Sequence, residues 1–372
     1  MDPRTQFCHD SDCPASGQVG QGNIVVHSLK EGRYKCNVCG KTFTETKGTA
    51  FYRLRTAQNV VLLVVTLLAY GCPVQAICIA FGLDERTVLD WQAKCGQHCQ
   101  RVHEHLVEQP RDLGQVQADE IRVKMQGGIL WMAMAIQVQT RLWLGGVLSP
   151  ARDMNLIVAL MQKVRHSALC RSLLFCVDGC AAYVGAIRKV FRESIYTGEP
   201  GRPPLRPWDG IYIAQVIKQY AHKRVVAVAR RIVQGTQAQI DALVQATQGG
   251  GSINTAFIER LNATFRSCIT ALIRRGRALV RQMPTLHHAM YLTGTVYNFC
   301  IYHQSLRVPL SLPNNRRRWL RRTPAIAAGI TDHLWTVQEL LSFRVPPPPW
   351  QPPRRRGRPS NALKSLVARW CS

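Results

Sequence analysis

The chain has 372 residues, with 48 Lys and Arg against 22 Asp and Glu, a formal charge of +26 and an apolar fraction of 46%. This length suits two or three domains, and the apolar content suffices for globular cores. The cationic excess is larger than solubility requires and favours a polyanionic partner, with DNA, RNA and anionic membrane all open on composition alone.

The start of the chain predicts no secretion and no membrane insertion. The residues after Met1 are polar and do not form a signal peptide, so we expect the 14 cysteines to be reduced. The longest apolar run, residues 60–70, is shorter than the roughly 20 residues needed to cross a bilayer. These features predict a cytoplasmic protein with no membrane partner.

Residues 1–50 contain two close pairs of cysteines, and the second pair is a Cys-x2-Cys knuckle followed by Gly40. In such a knuckle two thiolates bind one tetrahedral Zn²⁺, and a glycine permits the tight turn. A module of this size also needs a cross-link for stability. We predict a zinc ribbon, with His9 and His27 as substitute ligands and with four cysteines as the main ligands: Cys8, Cys13, Cys36 and Cys39.

Residues 51–110 are predicted to form a helix-turn-helix DNA-binding domain. Two glycine-containing turns, at residues 71–73 and 81–83, divide this stretch into three helices. Asp84 is a candidate N-cap of the third helix. That helix would present two residues to a DNA groove, Arg86 and Thr87. An ordinary helical hairpin is the alternative.

Within the third helix, Cys95, Cys99 and His103 recur every four residues and so share one helix face. A second metal site is one interpretation. Adjacent turns of a single helix cannot surround a tetrahedral ion, so we favour a face of small thiols packed against a partner helix.

From residue 114 the pattern changes to strand-like runs with a crossover helix at residues 153–166, and the runs cover residues 115–124, 128–137, 141–148 and 173–177. The last run is continuously apolar, as expected of a strand covered on both faces. Three hairpin-like strands, a helix and a buried strand are the order of a ribonuclease-H-like α/β core, which we predict over residues 111–310. We also expect an insertion loop at 197–210, a fifth strand at 223–233, and helices at 253–270 and 286–303.

Three carboxylates in this predicted core occupy positions that suit a site. Asp119 lies in the first strand, and Asp178 closes the most apolar strand, where a polar residue is poorly tolerated without a purpose. Glu259 lies on a helix whose same face carries an amide and a guanidinium, Asn262 and Arg266. A carboxylate can bind Mg²⁺ and an arginine can hold a phosphate. Glu120 competes with Asp119 but is expected on the opposite face of the strand.

With these motifs the chain resembles DDE insertion-sequence transposases, in particular the insertion-sequence-one type, which has an N-terminal zinc ribbon and a helix-turn-helix. The resemblance spans residues 8–307. Its matching segments are Asp119-Glu120, Val177-Asp178-Gly179, Ile258-Glu259-Arg260, Tyr297-Asn298-Phe299 and residues 303–307. It implies that Mg²⁺ or Mn²⁺ is bound by Asp119, Asp178 and Glu259, and that Arg266 contacts DNA.

The function implied is that of a transposase that binds element ends, cleaves them and joins them to target DNA by two-metal-ion phosphoryl transfer. The partners implied are double-stranded DNA, both ends and target, and further copies of the chain in a synaptic homo-oligomer at the nucleoid. Four more arginines are expected to follow the DNA backbone: Arg274, Arg275, Arg277 and Arg281. The alternatives are a zinc-ribbon transcriptional regulator that binds DNA without cutting it, and a nuclease without strand transfer.

Residues 311–372 are predicted to form a basic, proline-rich tail that is largely extended. The basic run at 316–322 lies outside the resemblance. Residues 354–359 resemble an AT-hook, whose Arg-Gly-Arg-Pro core enters a narrow minor groove through Arg356 and Arg358. A nonspecific basic tail is the alternative.

Overall fold

The protein is represented by a computed structural model that describes residues 1–196, 198, 201–222, 224–274, 276, 278–310, 318–352 and 359–371. After a 3-10 turn at Pro3–Thr5, the first three strands form a small antiparallel sheet: β1 (Ile24–Ser28), β2 (Arg33–Cys36) and β3 (Thr42–Thr44). Tyr34 on β2 and Phe43 on β3 are buried, and their two rings stack with centroids 5.8 Å apart. Together with the cysteines they form the small core of this sheet.

Three helices follow, as predicted: α1 (Gln58–Ala69), α2 (Val74–Phe81) and α3 (Glu85–Leu106). Gly82 ends α2 with a left-handed φ of 64°, which a glycine adopts without strain. Asp84 caps α3 as predicted, because its Oδ1 accepts a hydrogen bond of 2.8 Å from the backbone N–H of Arg86. Among the described residues, no helix is long and apolar enough to cross a membrane.

The main sheet has six strands. The chain passes through β4 (Gln115–Met125), β5 (Gly128–Gln137), β6 (Trp143–Ser149), β7 (Leu173–Asp178), the short pair β8 (Arg192–Ser194) and β9 (Leu205–Pro207), β10 (Ile211–Ala221) and β11 (Arg224–Gln234). The order across the sheet is β11-β10-β7-β4-β5-β6, with β4, β7 and β10 parallel and the outer strands antiparallel. The fold is therefore α/β with a mixed sheet.

One part of the sheet differs from the sequence-based expectation. β7 lies between β4 and β10, and the sequence pattern did not predict β10. The strand expected at residues 223–233 is β11, which is the sixth strand of this sheet in chain order and lies at the sheet edge. Ile211, Ile213 and Ala214 of β10 are buried together with Val216. β10 has the apolar character of an internal strand, whereas the first eight residues of β11 are exposed.

Five helices cover this sheet: α4 (Met154–His166), α5 (Ala181–Val190), α6 (Gln237–Gln248), α7 (Ala256–Cys268) and α8 (Met283–Phe299). Leu174 and Cys176 of β7 pack against α6, whereas Phe175, which points the other way, packs against Phe191 at the end of α5. The sheet is thus covered on both faces. At Gly294 of α8, an added Cβ would lie 2.2 Å from the ring of Trp143, so only glycine allows this close packing.

The chain ends with β12 (Val308–Leu310), β13 (Arg318–Leu320), α9 (Pro324–Ala327), α10 (Val337–Ser342) and α11 (Asn361–Trp370). Two compact units result, one of residues 1–58 with 341–372 and one of residues 59–340. In the first unit, Trp370 of α11 is buried in the core of the small sheet.

Candidate functional site

Helix α7 is attached to strand β4 by one buried glutamine. Gln117 accepts hydrogen bonds through Oε1 from the backbone N–H groups of Phe257 (3.0 Å) and Ile258 (3.1 Å). Its Nε2 donates to the carbonyl of Asn254 at 2.7 Å. Because the first N–H groups of a helix have no acceptor within the helix, this side chain caps α7 from the sheet. The contact fixes the helix that carries Glu259 relative to the strand that carries Asp119.

The three predicted carboxylates line one cleft of about 900 Å³. Ala118 of β4 pairs with Val177 of β7 in parallel register, so Asp119 and Asp178, the next residues, lie side by side where β7 ends. Glu259 reaches the same cleft from α7. The lining also includes five cationic or amide side chains: Arg152, Lys218, Asn262, Arg266 and Arg274.

A fourth carboxylate lies close to two of these three. Asp119, Glu120 and Asp178 each place a carboxylate oxygen within 4.8 Å of the others. Arg152 joins this group, because its Nη2 lies 3.1 Å from Glu120 Oε2 and 3.3 Å from Asp178 Oδ2. Strand alternation predicted that Glu120 would lie on the opposite face of β4, away from the site. Its carboxylate nevertheless belongs to the cluster, and Arg152 bridges it to Asp178 at the end of the sheet.

Glu259 stands slightly apart and has its own cation. Its Oε1 lies 2.5 Å from Lys218 Nζ and accepts a 2.7 Å hydrogen bond from Thr255 Oγ1. Burial acts to raise the pKa of Glu259, but these two hydrogen bonds outweigh burial and lower the pKa below its ordinary value. The carboxylate is therefore held in its charged form.

The pKa values of the two β4 carboxylates, Asp119 and Glu120, shift in the opposite direction from that of Glu259. Burial raises the pKa of Asp119, and the negative charges of Asp178 and Glu259 add to the shift. Burial likewise raises the pKa of Glu120, although Arg152 opposes the shift. Clustered carboxylates that repel one another are stabilised by a bound cation, and their oxygens are the ligands that Mg²⁺ prefers. The donor set thus fits a hard divalent ion.

The predicted DNA-binding residues are distributed over several elements. Arg266 lines the cleft, and the pKa of Arg266 is lowered by burial and by the positive charge of Arg274. Arg274 is exposed at the cleft, and Arg281 pairs with Glu85 at 3.7 Å. At the start of α3, Arg86 is exposed and Thr87 is half-buried. Four of the predicted contacts lie outside the described residues: Arg275, Arg277, Arg356 and Arg358.

The four predicted zinc ligands come together as one cluster. The Sγ atoms of Cys8, Cys13, Cys36 and Cys39 all lie within 4.8 Å of one another, with Cys8–Cys39 at 3.6 Å and Cys13–Cys36 at 3.9 Å. A tetrahedral ion with Zn–S bonds of about 2.3 Å requires sulfur separations of about 3.8 Å. For Cys36, burial acts to raise the pKa, but the backbone N–H groups of Cys39 and Val38 lower it overall. The cluster is thus suited to Zn²⁺, and neither His9 nor His27 is part of it.

Several residues that line or support the cleft were not identified from the sequence. Gln117 carried a usable signal, because it lies two residues before Asp119 and so shares its face of β4. Gln215 donates to the carbonyls of Asp178 (3.1 Å) and Cys180 (3.3 Å), and it lies on β10 with Lys218. Neither β10 residue could be placed while that strand itself was not predicted.

Comparison with known proteins adds little to this geometry. No protein-family model matches the chain, and no curated protein matches it. One similar solved structure is a simian T-cell lymphotropic virus intasome in complex with PP2A regulatory subunit B56 gamma. The matched chain has 10% identity and a TM-score of 0.26 over 81% of this chain and 80% of that chain. At that TM-score the likeness does not assign a fold or an activity.

Proposed function

We propose that the chain is a DDE transposase whose ribonuclease-H-like core, within residues 111–310, cleaves element ends and joins them to target DNA. The observation that carries the proposal is the meeting of Asp119, Asp178 and Glu259 in one cleft. The guanidinium groups of Arg266 and Arg274 line the same cleft, in a chain of charge +26. The strand order β6-β5-β4-β7-β10 supports this class of core, with antiparallel pairing of β6 with β5 and of β5 with β4, and parallel pairing of β4, β7 and β10.

The carboxylate oxygens of Asp119, Asp178 and Glu259 would hold Mg²⁺ or Mn²⁺ in this cleft. Such ions, when bound, activate water or a DNA 3′-hydroxyl and stabilise the leaving oxygen during displacement at phosphorus. The chain itself positions these ligands: Gln117 orients α7, and Asn262 holds one oxygen of Asp119. Arg266 and Arg274 neutralise the phosphodiester that enters the cleft.

The remaining segments would bind and assemble the DNA. The four cysteines would hold one Zn²⁺ in a ribbon at residues 1–50, and the helices at 51–110 would contact double-stranded element ends through Arg86 and Thr87. The basic residues of the 311–372 segment would add sequence-independent attraction. Cleavage at two ends and joining to a target require a homo-oligomer in the synaptic complex, located at the cytoplasmic nucleoid.

The test compares three amide variants in a Mg²⁺-dependent cleavage and strand-transfer assay on labelled terminal duplexes. Asp178→Asn and Glu259→Gln keep the size of each side chain but remove the charge that holds a divalent ion. Both steps should fall together by at least 100-fold, because one site serves both. Glu120→Gln makes the same chemical change beside Asp119 and should have a milder effect, because Glu120 belongs to the carboxylate cluster but does not line the cleft.

A gel-shift with the same duplex separates catalysis from binding. End binding should survive in Asp178→Asn and Glu259→Gln, because a negative charge facing phosphate has been removed. Full cleavage activity in either variant would reject the catalytic assignment. The zinc-ribbon regulator would then be the better interpretation, although three carboxylates in a DNA-facing cleft repel the polyanion unless metal is present.

A further inference from the structure

A second cavity, of about 470 Å³, also borders helix α7. It lies on a different face of the helix from the cleft that contains Asp119, Asp178 and Glu259. Helix residues Phe257, Arg260 and Thr264 line it, whereas Glu259 and Asn262 line the cleft. We name it the α7 side pocket, and its polar lining comprises Arg141, Arg260, Thr264, Tyr297, Tyr302, His303, Gln304 and Ser305. None of its described lining residues is an Asp or Glu.

Arg141 is the residue that distinguishes this pocket. Its φ is +60°, in the left-handed region, at the turn between β5 and β6. Glycine or asparagine would fit such a turn with less strain, so an arginine here is not required by the hairpin. Tyr297 fixes the backbone of this residue, because its hydroxyl donates to the Arg141 carbonyl at 3.0 Å.

The guanidinium of Arg141 is held by one aromatic contact, but one of its nitrogens has no hydrogen-bond acceptor among the described residues. It stacks on Phe257, with its Cζ 4.0 Å from the ring centroid. Its Nη1 is buried and has no hydrogen-bond partner among the described residues. A buried donor without an acceptor costs free energy, which a bound anion would offset. The planar fork of arginine matches the oxygens of a phosphate.

The neighbours of Arg141 add positive charge and hydroxyl donors. Arg260 extends from α7 into the pocket, and His303 Nδ1 lies 3.1 Å from Ser305 Oγ. Arg321 does not line the pocket, but it stacks on Tyr302, which does, with its Cζ 4.7 Å from the ring centroid. Burial lowers the pKa of His303, and the charges of Arg141 and Arg260 lower it further. Cations that repel one another without a nearby carboxylate favour an anion between them.

We infer that the α7 side pocket binds a phosphate group through Arg141, Arg260 and Ser305. The group is either a phosphodiester of bound DNA or free inorganic phosphate, since both present the same oxygens. The site is separate from the proposed chemistry, because the carboxylates of the cleft do not line it. In the DNA case the pocket would hold the backbone beside the helix that carries Glu259.

The experiment uses the full chain and two variants that remove one guanidinium each. Arg141→Asn keeps a residue that tolerates the left-handed backbone, and Arg260→Gln changes an exposed helix position. Arg101→Gln, at an exposed position of α3, is the matched control for lost charge. Calorimetric titration with inorganic phosphate should show at least 10-fold weaker binding in both pocket variants and no change in the control.

Fluorescence anisotropy with a labelled duplex, without added divalent metal, distinguishes the two sources of phosphate. Each lost phosphate contact should reduce the slope of log K against log salt by about 0.9. A reduced slope assigns the pocket to DNA, and a reduced phosphate affinity with an unchanged slope assigns it to free phosphate. The inference is overturned if neither quantity changes, and Arg260→Gln decides if Arg141→Asn does not fold. Neither measurement requires cleavage, so failure of the proposed catalysis would be seen separately.

Discussion

Asn262 Nδ2 donates a hydrogen bond of 2.8 Å to Asp119 Oδ2, and this contact joins helix α7 to strand β4 inside the cleft. Asn262 is 1% exposed, so its side chain is fixed by its surroundings. The amide therefore selects the orientation of the Asp119 carboxylate, which we propose as a metal ligand. Partners that orient metal ligands contribute to affinity for the ion as well as to activity.

We predict that Asn262→Ala will lower the cleavage rate by about 10–100-fold and raise the Mg²⁺ concentration needed for half-maximal activity. The protein should lose about 1–2 kcal/mol of unfolding free energy, as expected for one buried hydrogen bond and its desolvated partner. The measurement is a Mg²⁺ titration of cleavage beside a denaturant melt. Asn155→Ala makes the same change at an exposed position of α4 that does not line the cleft, and it should change neither quantity. An unchanged Mg²⁺ requirement in Asn262→Ala would contradict the positioning role.

The parts of the fold that could be predicted carry strong local signals. The continuously apolar run before Asp178 predicted β7, and the cap at Asp84 predicted the start of α3. Alternation predicted β4 to β6 within a few residues. The Cys-x2-Cys spacing of Cys36 and Cys39 likewise predicted that these thiols meet two others, which the cluster confirms. The zinc ion itself stays a prediction.

The parts that could not be predicted depend on distant contacts. Arg152 bridges Glu120 and Asp178 from a loop before α4, and no spacing rule links an arginine to carboxylates 26 and 32 positions away. Helix α11 lies among Pro and Arg residues that indicated an extended tail, yet Trp370 is buried in the N-terminal unit. In the case of α11, burial against a segment distant in sequence overrides the local preference.

Two buried histidines predict how stability depends on pH. Burial lowers the pKa of His103 to about 3 and that of His98 to about 4. The positive charge of Lys163 lowers the pKa of His103 further. The carboxylate of Glu108, 3.9 Å from His103 Nε2, does not offset this effect. Because the unfolded chain has a histidine pKa of about 6.5, it binds more protons than the folded chain at pH 4 to 6.5.

Stability should therefore be intact above pH 6.5 and fall as the pH is lowered below that value, by about 2 kcal/mol per histidine at pH 5. His103→Phe retains the ring beside Trp143 but cannot be protonated, so its unfolding free energy should vary less between pH 7 and pH 5. His166→Gln, at an exposed position, is the control and should follow the wild type. Denaturant melts at both pH values provide the test, and identical pH dependence in His103→Phe and wild type would refute it.

The last prediction concerns Trp370, which is 5% exposed and packs in one core with the cysteine cluster. Gln18 fixes the end of α11, because its Nε2 donates to the Trp370 carbonyl at 2.8 Å. Since metal binding in a small module is coupled to its folding, loss of this tryptophan should weaken zinc retention. Trp370→Ala should destabilise the N-terminal unit by about 3–5 kcal/mol.

Zinc release to a colorimetric chelator measures this coupling directly. We expect one Zn²⁺ per chain, released at least 10-fold faster from Trp370→Ala than from wild type, with Trp370→Phe between them because it keeps part of the packing. Trp319→Ala, at an exposed tryptophan of β13, controls for the loss of a large ring. Equal release rates in Trp370→Ala and wild type would mean that α11 does not support the cluster. A chain without zinc that keeps its folded N-terminal unit would instead refute the zinc ribbon, because the small core of this unit is not expected to hold three short strands together without a cross-link.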